Sequence, residues 1–302
     1  MAPLQDARQQ NLMLGIGKYI KKNTNFPTFV KRRIFYSRNL YNLLTADAAT
    51  RDYHYIDRHV YGMNYFFNVV PEYKLIYVEV SKAGCSTVKS ILSSVCYGRD
   101  FKGEFYRCHR REYSGLKSPE MIGPEGFCEM LRDPETLMFT VVRNPYLRLQ
   151  SCYSNKFAGV PWDAPDDHFM KQYRKNNQFT RPDTYVSNNA ITFDQFIKYA
   201  CATATKMLNN HWNLMSANVP KSVPSIHVAK LETLHEDIKP VADRLGIDAQ
   251  TFSPRKTAVN KTGSHAYGSL WTSDLVKRVQ SAYREDFTRF DYPLEFPGTT
   301  TN

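Results

Sequence analysis

Two groups of residues in this 302-residue chain have the types and spacing needed to bind an anion. The first group directly follows the apolar run Leu75–Val80 and consists of Lys82, Ala83, Gly84, Cys85, Ser86 and Thr87. The run is short and rich in β-branched residues, so it predicts one strand, and Ser86 or Thr87 is predicted to cap a following helix. Because N–H groups converge at a helix N-terminus and Lys82 adds a full positive charge, this pattern predicts a phosphate site.

The second group begins at Arg143, directly after another apolar run, Leu137–Val142. Pro145 is typical of the first turn of a helix, so the run predicts a strand and the residues after it a helix. Ser151 then lies about two helical turns beyond the strand. A guanidinium and a hydroxyl directed at one place can clamp a phosphate, which gives the chain a second candidate anion site.

Neither group is the P-loop of a nucleotide triphosphatase. That pattern places a lysine directly after the second of two glycines, whereas here Lys82 precedes a single glycine, Gly84. A P-loop kinase also needs a metal-holding aspartate after a strand, and this chain has Arg143-Asn144-Pro145 there. A kinase is therefore only a minor alternative.

Together the two groups resemble the donor-binding loops of the sulfotransferases that use 3′-phosphoadenosine 5′-phosphosulfate (PAPS). The likeness is greatest to the Golgi carbohydrate sulfotransferases (family 2), whose loops read roughly P-K-x-G-[CS]-[ST] and R-[DEN]-P-[FY]-x-R-L-x-S-x-[YF]-x-[ND]-K-F. Both loops match, except that Ser81 stands where the family usually has proline. A weaker likeness extends to Tyr292, near the end of the chain.

This resemblance implies an in-line transfer of a sulfuryl group from PAPS to an acceptor hydroxyl, most readily one on a carbohydrate. In such an enzyme Lys82 and the N–H groups of Gly84–Thr87 stabilise the departing 5′-phosphate, while Arg143 and Ser151 hold the 3′-phosphate. No metal is required, because protein donors already surround the leaving group. Lys261 lies in a basic loop that closes over the nucleotide in the family, so it is a further candidate for donor binding.

Two histidines are candidates for the general base, because a neutral histidine suits that role near pH 7. His109 lies in the long segment Tyr97–Glu135, which we interpret as a loop on the acceptor side. His211 lies beside Trp212 in an x-x-H-W element that resembles one in the family. The sequence does not decide between the two histidines. A second irregular stretch, Ala158–Ala190, carries aromatic and basic residues that suit an acceptor-binding flap.

The alternation of predicted strands and helices predicts an α/β fold. We expect a P-loop-like, mostly parallel sheet flanked by helices on both faces, which is also the sulfotransferase fold that the resemblance implies. A further strand and helix are predicted within Ser225–Leu245, and an amphipathic helix at Ser273–Phe287. We assign residues 51–302 to a single sulfotransferase domain and residues 1–50 to a basic helical N-terminal extension.

Composition and charge indicate which classes of ligand and partner the protein can bind. The formal net charge of +11 favours a polyanionic donor, and the six cysteines show no C-x-x-C pair and no zinc spacing. We expect an oligo- or polysaccharide acceptor, with anionic and lipid-linked sugars both open, and no nucleic acid. No signal peptide or transmembrane segment is visible, so we predict a cytoplasmic protein whose basic N-terminus can contact a membrane surface. The alternative function is non-catalytic binding of glycan or nucleic acid on a sulfotransferase scaffold.

Overall fold

The computed structural model describes residues 63–100, 107–161, 164, 167–177, 190–206, 209–219, 225–253 and 269–298. All of these residues fall inside the predicted sulfotransferase domain. The predicted N-terminal extension, the domain boundary near residue 50 and Lys261 lie outside the described residues, so those assignments stay predictions.

A four-stranded sheet forms the centre of the described part. Its strands stand in the spatial order β1 (Phe67–Val70), β2 (Leu75–Val78), β3 (Leu137–Val142) and β4 (His227–Lys230). β2, β3 and β4 are parallel, and β1 pairs with β2 in the antiparallel sense. The predicted mostly parallel sheet is therefore confirmed. β1 lies at the end of an aromatic and charged stretch for which the sequence predicts no element.

The described helices lie before β3, between β3 and β4, and after β4. Before β3 they are α1 (Met63–Phe66), α2 (Cys85–Tyr97), α3 (Arg111–Ser114), α4 (Pro119–Ile122) and α5 (Pro124–Arg132). Between β3 and β4 they are α6 (Pro145–Lys156), α7 (His168–Asn177) and α8 (Phe193–Thr203). After β4 they are α9 (Leu234–Asp237), α10 (Lys239–Leu245), α11 (Ser273–Ala282) and α12 (Arg284–Arg289). Within these described ranges no helix combines the length and the apolar character needed to cross a membrane.

Side chains of the strands alternate between the two faces of the sheet and divide the core into two layers. On one face Tyr77, Phe139 and Ala229 pack with buried residues of α2, α9 and α10. On the other face Val142 packs with buried residues of α6, α8, α11 and α12, which include Leu149, Ile197, Val279 and Phe287. Helices therefore flank both faces, as the sequence predicts, and the ends of β2 and β3 lie between the two layers.

Two connecting segments are more regular than the sequence predicts. The segment Tyr97–Glu135, interpreted above as a loop, contains α3, α4 and α5. Pro119 and Pro124 stand in the first turns of α4 and α5, where a missing N–H leaves no helical hydrogen bond unmade. These prolines therefore start helices rather than prevent them. In the same way, α7 lies within the stretch Ala158–Ala190.

Two other predicted helices form but are divided. The helix predicted to run to Leu245 is interrupted at Ile238 and is capped by Gly246, whose φ is 66°. The helix predicted at Ser273–Phe287 is divided at Tyr283, which lies between α11 and α12 with φ of −109°.

Candidate active site

The first donor loop, Ser81–Thr87, connects β2 to α2. The helix begins at Cys85 with Gly84 as its N-cap residue, so the predicted capping by Ser86 or Thr87 is wrong. Ser86 and Thr87 instead lie in the first helical turn, where backbone N–H groups have no partner within the helix. The N-terminus of α2 can therefore offer these donors to an anion.

Left-handed backbone angles at Lys82 and Gly84 allow α2 to begin at Cys85. Lys82 has φ of 69° and Gly84 has φ of 80°, which turns the chain sharply between strand and helix. Glycine is favoured at position 84, because any other residue would have to adopt this positive φ and would place its Cβ 2.8 Å from Leu231 Cδ1. A lysine in the left-handed region is uncommon, so the loop holds Lys82 in a conformation that its own preference disfavours.

Lys82 has an unusually low affinity for its proton. Burial, more than the nearby charges of Lys156 and Arg143, lowers the pKa of Lys82 to about 8. A bound anion would favour the charged ammonium and oppose this shift. The lysine is thus placed where it gains most from a negatively charged ligand.

Of the predicted donor-binding group, Ala83 packs in the interior and Cys85 is half-buried. Ala83 is buried, and its N–H donates to Val80 O at 3.3 Å, so this N–H already has a partner. Burial raises the pKa of Cys85 to about 12 and that of Cys152 likewise to about 12. Both thiols therefore stay protonated near neutral pH, which gives them a packing role rather than a nucleophilic one.

The second donor loop, Arg143–Ser151, connects β3 to α6. Asn144 caps the helix, since its side-chain oxygen accepts the N–H of Tyr146 at 3.0 Å. Glu232, just after β4, accepts the N–H of Asn144 at 2.9 Å and the hydroxyl of Tyr292 at 2.9 Å. The loop that carries Arg143 is thus held by its own cap and by the C-terminal region.

Arg143 links the two donor loops. Its Nη1 donates to Lys82 O at 3.4 Å, and burial is the main cause that lowers its pKa from the ordinary arginine value. Ser151 lies half-buried on α6, on the helical face of Asn144 two turns earlier. In the described part of the chain no hydrogen bond joins Arg143 to Ser151. Their common role as a clamp therefore stays a prediction.

His109 lies against the first donor loop. Its Nε2 is 2.9 Å from Ser86 Oγ, and its Nδ1 is 4.0 Å from Glu79 Oε1. Glu79 also forms an ion pair with Lys89 at 2.9 Å, and both side chains are almost fully buried. Burial lowers the pKa of His109, while Glu79 opposes that shift. The imidazole is neutral near pH 7 and is hydrogen-bonded to the hydroxyl of Ser86.

His211 lies in the histidine loop, Asn209–Trp212, with its tautomer fixed by Asn209. The Oδ1 of Asn209 accepts both the backbone N–H of His211 at 3.0 Å and its Nδ1 at 2.7 Å. Asn209 Nδ2 donates to Gln172 Oε1 at 2.7 Å, so its amide orientation is determined by partners at both ends. Because an amide oxygen only accepts, Nδ1 carries the proton and Nε2 has the lone pair.

The surroundings keep His211 neutral. Burial, followed by the positive charges of Lys156, Lys82 and Arg148, lowers the pKa of His211 to about 3. Its ring also contacts that of Phe169 edge to face, with centroids 5.1 Å apart. Within the described residues no group of three or more histidine, cysteine or acidic side chains could hold a metal ion. The site thus combines several cations with neutral imidazoles, a composition suited to binding a polyanion.

A model of the sulfotransferase family matches residues 65–293, a range that includes both donor loops and both histidines. The chain belongs to the sulfotransferase family. The matching range also spans the four strands described above, so the family and the α/β fold agree.

Several curated sulfotransferases resemble this family member over much of its length. Carbohydrate sulfotransferase 14 of Danio rerio is 28% identical over 242 residues, which cover 76% of this chain and 62% of the relative. Carbohydrate sulfotransferase 9 of Homo sapiens is 24% identical over 252 residues, covering 76% and 53%. Carbohydrate sulfotransferase 12 of Xenopus laevis is 28% identical over 173 residues, covering 51% and 40%. The chain thus spans roughly half the length of these relatives. No solved structure gives a significant match.

The structure of this sulfotransferase brings in residues that the sequence reasoning did not select. Arg148 is buried and donates to Ser81 O, Asn213 O and Asn210 O at 3.0, 2.8 and 2.7 Å. Lys156 lies near both histidines and places its Nζ 4.7 Å from the ring centre of Phe169. Arg148 and Lys156 both belong to the second motif, after Pro145. Their spacing along the helix does not indicate which groups, distant in sequence, their side chains contact.

Proposed function

We propose that this protein transfers a sulfuryl group from PAPS to a carbohydrate hydroxyl. The observation that carries the proposal is the convergence of Lys82, Arg143 and two neutral histidines at the ends of β2 and β3 in a sulfotransferase-family chain. The curated relatives are named as carbohydrate sulfotransferases, which supports the acceptor class.

Both donor loops would bind PAPS. The chemistry of the available groups fits an anhydride of phosphate and sulfate: Lys82, the first N–H groups of α2 and the guanidinium of Arg143 are all donors or cations. Lys82 would stabilise negative charge as it develops on the departing 5′-phosphate. Arg143 with Ser151 would bind the 3′-phosphate and so select the doubly phosphorylated nucleotide.

Of the two histidines, we assign the general base to His211. Its Nδ1 is engaged by Asn209, which leaves Nε2 as the nitrogen able to accept the hydroxyl proton. Burial is the first cause of the low pKa of His211, and the neighbouring cations are the second; the negative charge of a bound donor would offset the second and so raise that pKa. His109, bonded to Ser86, would instead orient that hydroxyl in the donor loop.

The experiment that tests donor binding is titration calorimetry with adenosine 3′,5′-bisphosphate (PAP), the desulfated product. We expect micromolar or tighter binding by the wild type and a loss of at least about tenfold in Arg143→Ala, the scale of one charge-assisted contact. Arg278→Ala removes a surface arginine paired with Asp274 and serves as the matched control. Absence of PAP binding by folded wild-type protein would exclude the enzyme and favour the non-catalytic scaffold.

The acceptor is then found with labelled PAPS and a panel of saccharides. The excess of cations at the site, including Lys156 beside Phe169, favours an acceptor that carries negative charge. The panel therefore contains neutral, uronic-acid-containing and lipid-linked sugars of matched length. Transfer to none of them by a PAP-binding protein would overturn the carbohydrate acceptor while leaving the donor assignment intact.

A further inference from the structure

A closed set of hydrogen bonds joins the first donor loop to the histidine loop. Asn210 Nδ2 donates to Ser81 Oγ at 2.8 Å, across 129 residues of sequence. Arg148 donates from Nε to Ser81 O at 3.0 Å and from Nη2 to Asn210 O at 2.7 Å. Ser81 and Asn210 are thus connected directly through their side chains and a second time through the guanidinium between their carbonyls.

Two of the three residues in this set are buried, and Asn210 is half-buried. Ser81 is 4% exposed and Arg148 is 1% exposed. A buried guanidinium that donates to backbone carbonyls of two segments fixes the distance between them, because its donors lie in one plane. The side-chain bond adds a fixed orientation, since the amide of Asn210 must face the hydroxyl of Ser81 to make it.

Each end of this bond directly precedes a residue of the proposed chemistry. Lys82 follows Ser81 and needs its left-handed φ of 69° to be maintained by the surroundings. His211 follows Asn210 and has its ring bonded to Asn209. A shift of the bond would therefore move the group proposed to stabilise the leaving phosphate relative to the group proposed to take the acceptor proton.

We infer that Ser81 and Asn210 are positioning residues whose mutual hydrogen bond sets the orientation of Lys82 relative to His211. The inference rests on the proposed function. The bond exists because this chain has serine at position 81, where the resembled donor motif usually has proline. Proline retains the carbonyl that Arg148 uses but has no hydroxyl for Asn210, so the side-chain bond is a feature of this chain.

The test uses Ser81→Ala, Asn210→Ala and the double variant in the full-length protein. We expect each single change to lower kcat about tenfold, since displacements of about 1 Å in a catalytic site cost up to 10²-fold. The dissociation constant for PAP should stay within about twofold, because Arg143 and the helix N-terminus are untouched. The double variant should lose no more than the larger single loss, because both changes remove the same bond.

The matched control is Ser118→Ala. Ser118 is also buried, and its hydroxyl accepts one hydrogen bond, from the N–H of Met121 at 3.3 Å. This change should lower the melting temperature comparably and leave kcat unchanged. Wild-type kcat in both single variants would overturn the inference. So would losses of kcat that multiply in the double variant, or that match an equal loss of PAP affinity.

Failure of the proposed function has a different signature. Where no saccharide is sulfated, kcat is replaced by the slow transfer of the sulfuryl group from PAPS to water, measured as PAP release. Variants with wild-type PAP release would then overturn only the positioning inference. A wild-type protein that neither binds PAP nor hydrolyses PAPS overturns the proposed function and this inference with it.

Discussion

The first donor loop and the histidine loop are held mainly by different kinds of interaction. The backbone determines the shape of the first donor loop. The loop lies between a strand end and a helix N-terminus, and Lys82 and Gly84 have left-handed backbone angles. In the histidine loop the groups are fixed by side chains, through Asn209 on His211 and Asn210 on Ser81. Substitutions in the histidine loop should therefore change turnover with little effect on donor binding.

The largest expected effect tests the donor loop alone. Lys82→Ala removes the cation proposed to stabilise the leaving group, so kcat should fall by about 10²–10³-fold, as when one preorganised donor is lost. Rates of sulfuryl transfer from labelled PAPS measure it. Lys74→Ala is the matched control, since Lys74 also has a positive φ of 46° but lies on the surface beside Asp133 and Glu135. Near-normal turnover by Lys82→Ala would refute the leaving-group role.

The second effect separates the two histidines. His211→Ala should lower kcat by about 10²-fold, the usual contribution of a general base, with little change in PAP affinity. His109→Ala should instead weaken PAP binding several-fold, because Ser86 loses its partner, and should lower kcat less. Parallel kinetics and calorimetry on both variants give the answer. The opposite pattern would assign the general base to His109 and would give His211 the role of supporting donor binding.

A third effect is the pH dependence of donor affinity. Lys82, with its pKa lowered to about 8, is charged in the free protein below that pH and neutral above it. PAP prefers the charged form, so its dissociation constant should be flat below about pH 8 and rise up to about tenfold per unit above it. Calorimetry from pH 7 upward measures this linkage, because protons are taken up on binding where Lys82 starts neutral.

The control for that pH profile is Lys82→Arg. A guanidinium stays protonated throughout the range, so the rise in the dissociation constant should disappear even where overall affinity changes. A rise that persists unchanged in Lys82→Arg would show that another group is responsible.

The smallest expected effect concerns the support of the second donor loop. Glu232→Gln replaces a charged acceptor of the Asn144 N–H and the Tyr292 hydroxyl by a neutral amide that can still accept one of them. PAP affinity should therefore fall only about threefold, since a neutral hydrogen bond is weaker than a charge-assisted one. Glu236→Gln, an exposed carboxylate on α9, is the control. A change in kcat without a change in affinity would contradict the separation of the two regions.

The sequence by itself determined the strands and helices on either side of the two donor loops. Leu75–Val78 and Leu137–Val142 form strands, and helices follow both. These features are predictable because they depend on residues close along the chain: a strand and the turn that follows it are complete within about ten residues. The loop sequences also sufficed to indicate the family, which the family match then confirmed.

Only the tertiary structure decided how the two histidines are placed relative to the first donor loop. His109 meets Ser86 across 23 residues, and Asn210 meets Ser81 across 129, contacts that no local pattern encodes. The low pKa of His211 likewise depends on burial and on Lys156, Lys82 and Arg148, which the fold brings together. Local propensity fixes where strands and helices begin, but the direction of a buried side chain and the charges around it follow from how distant segments pack.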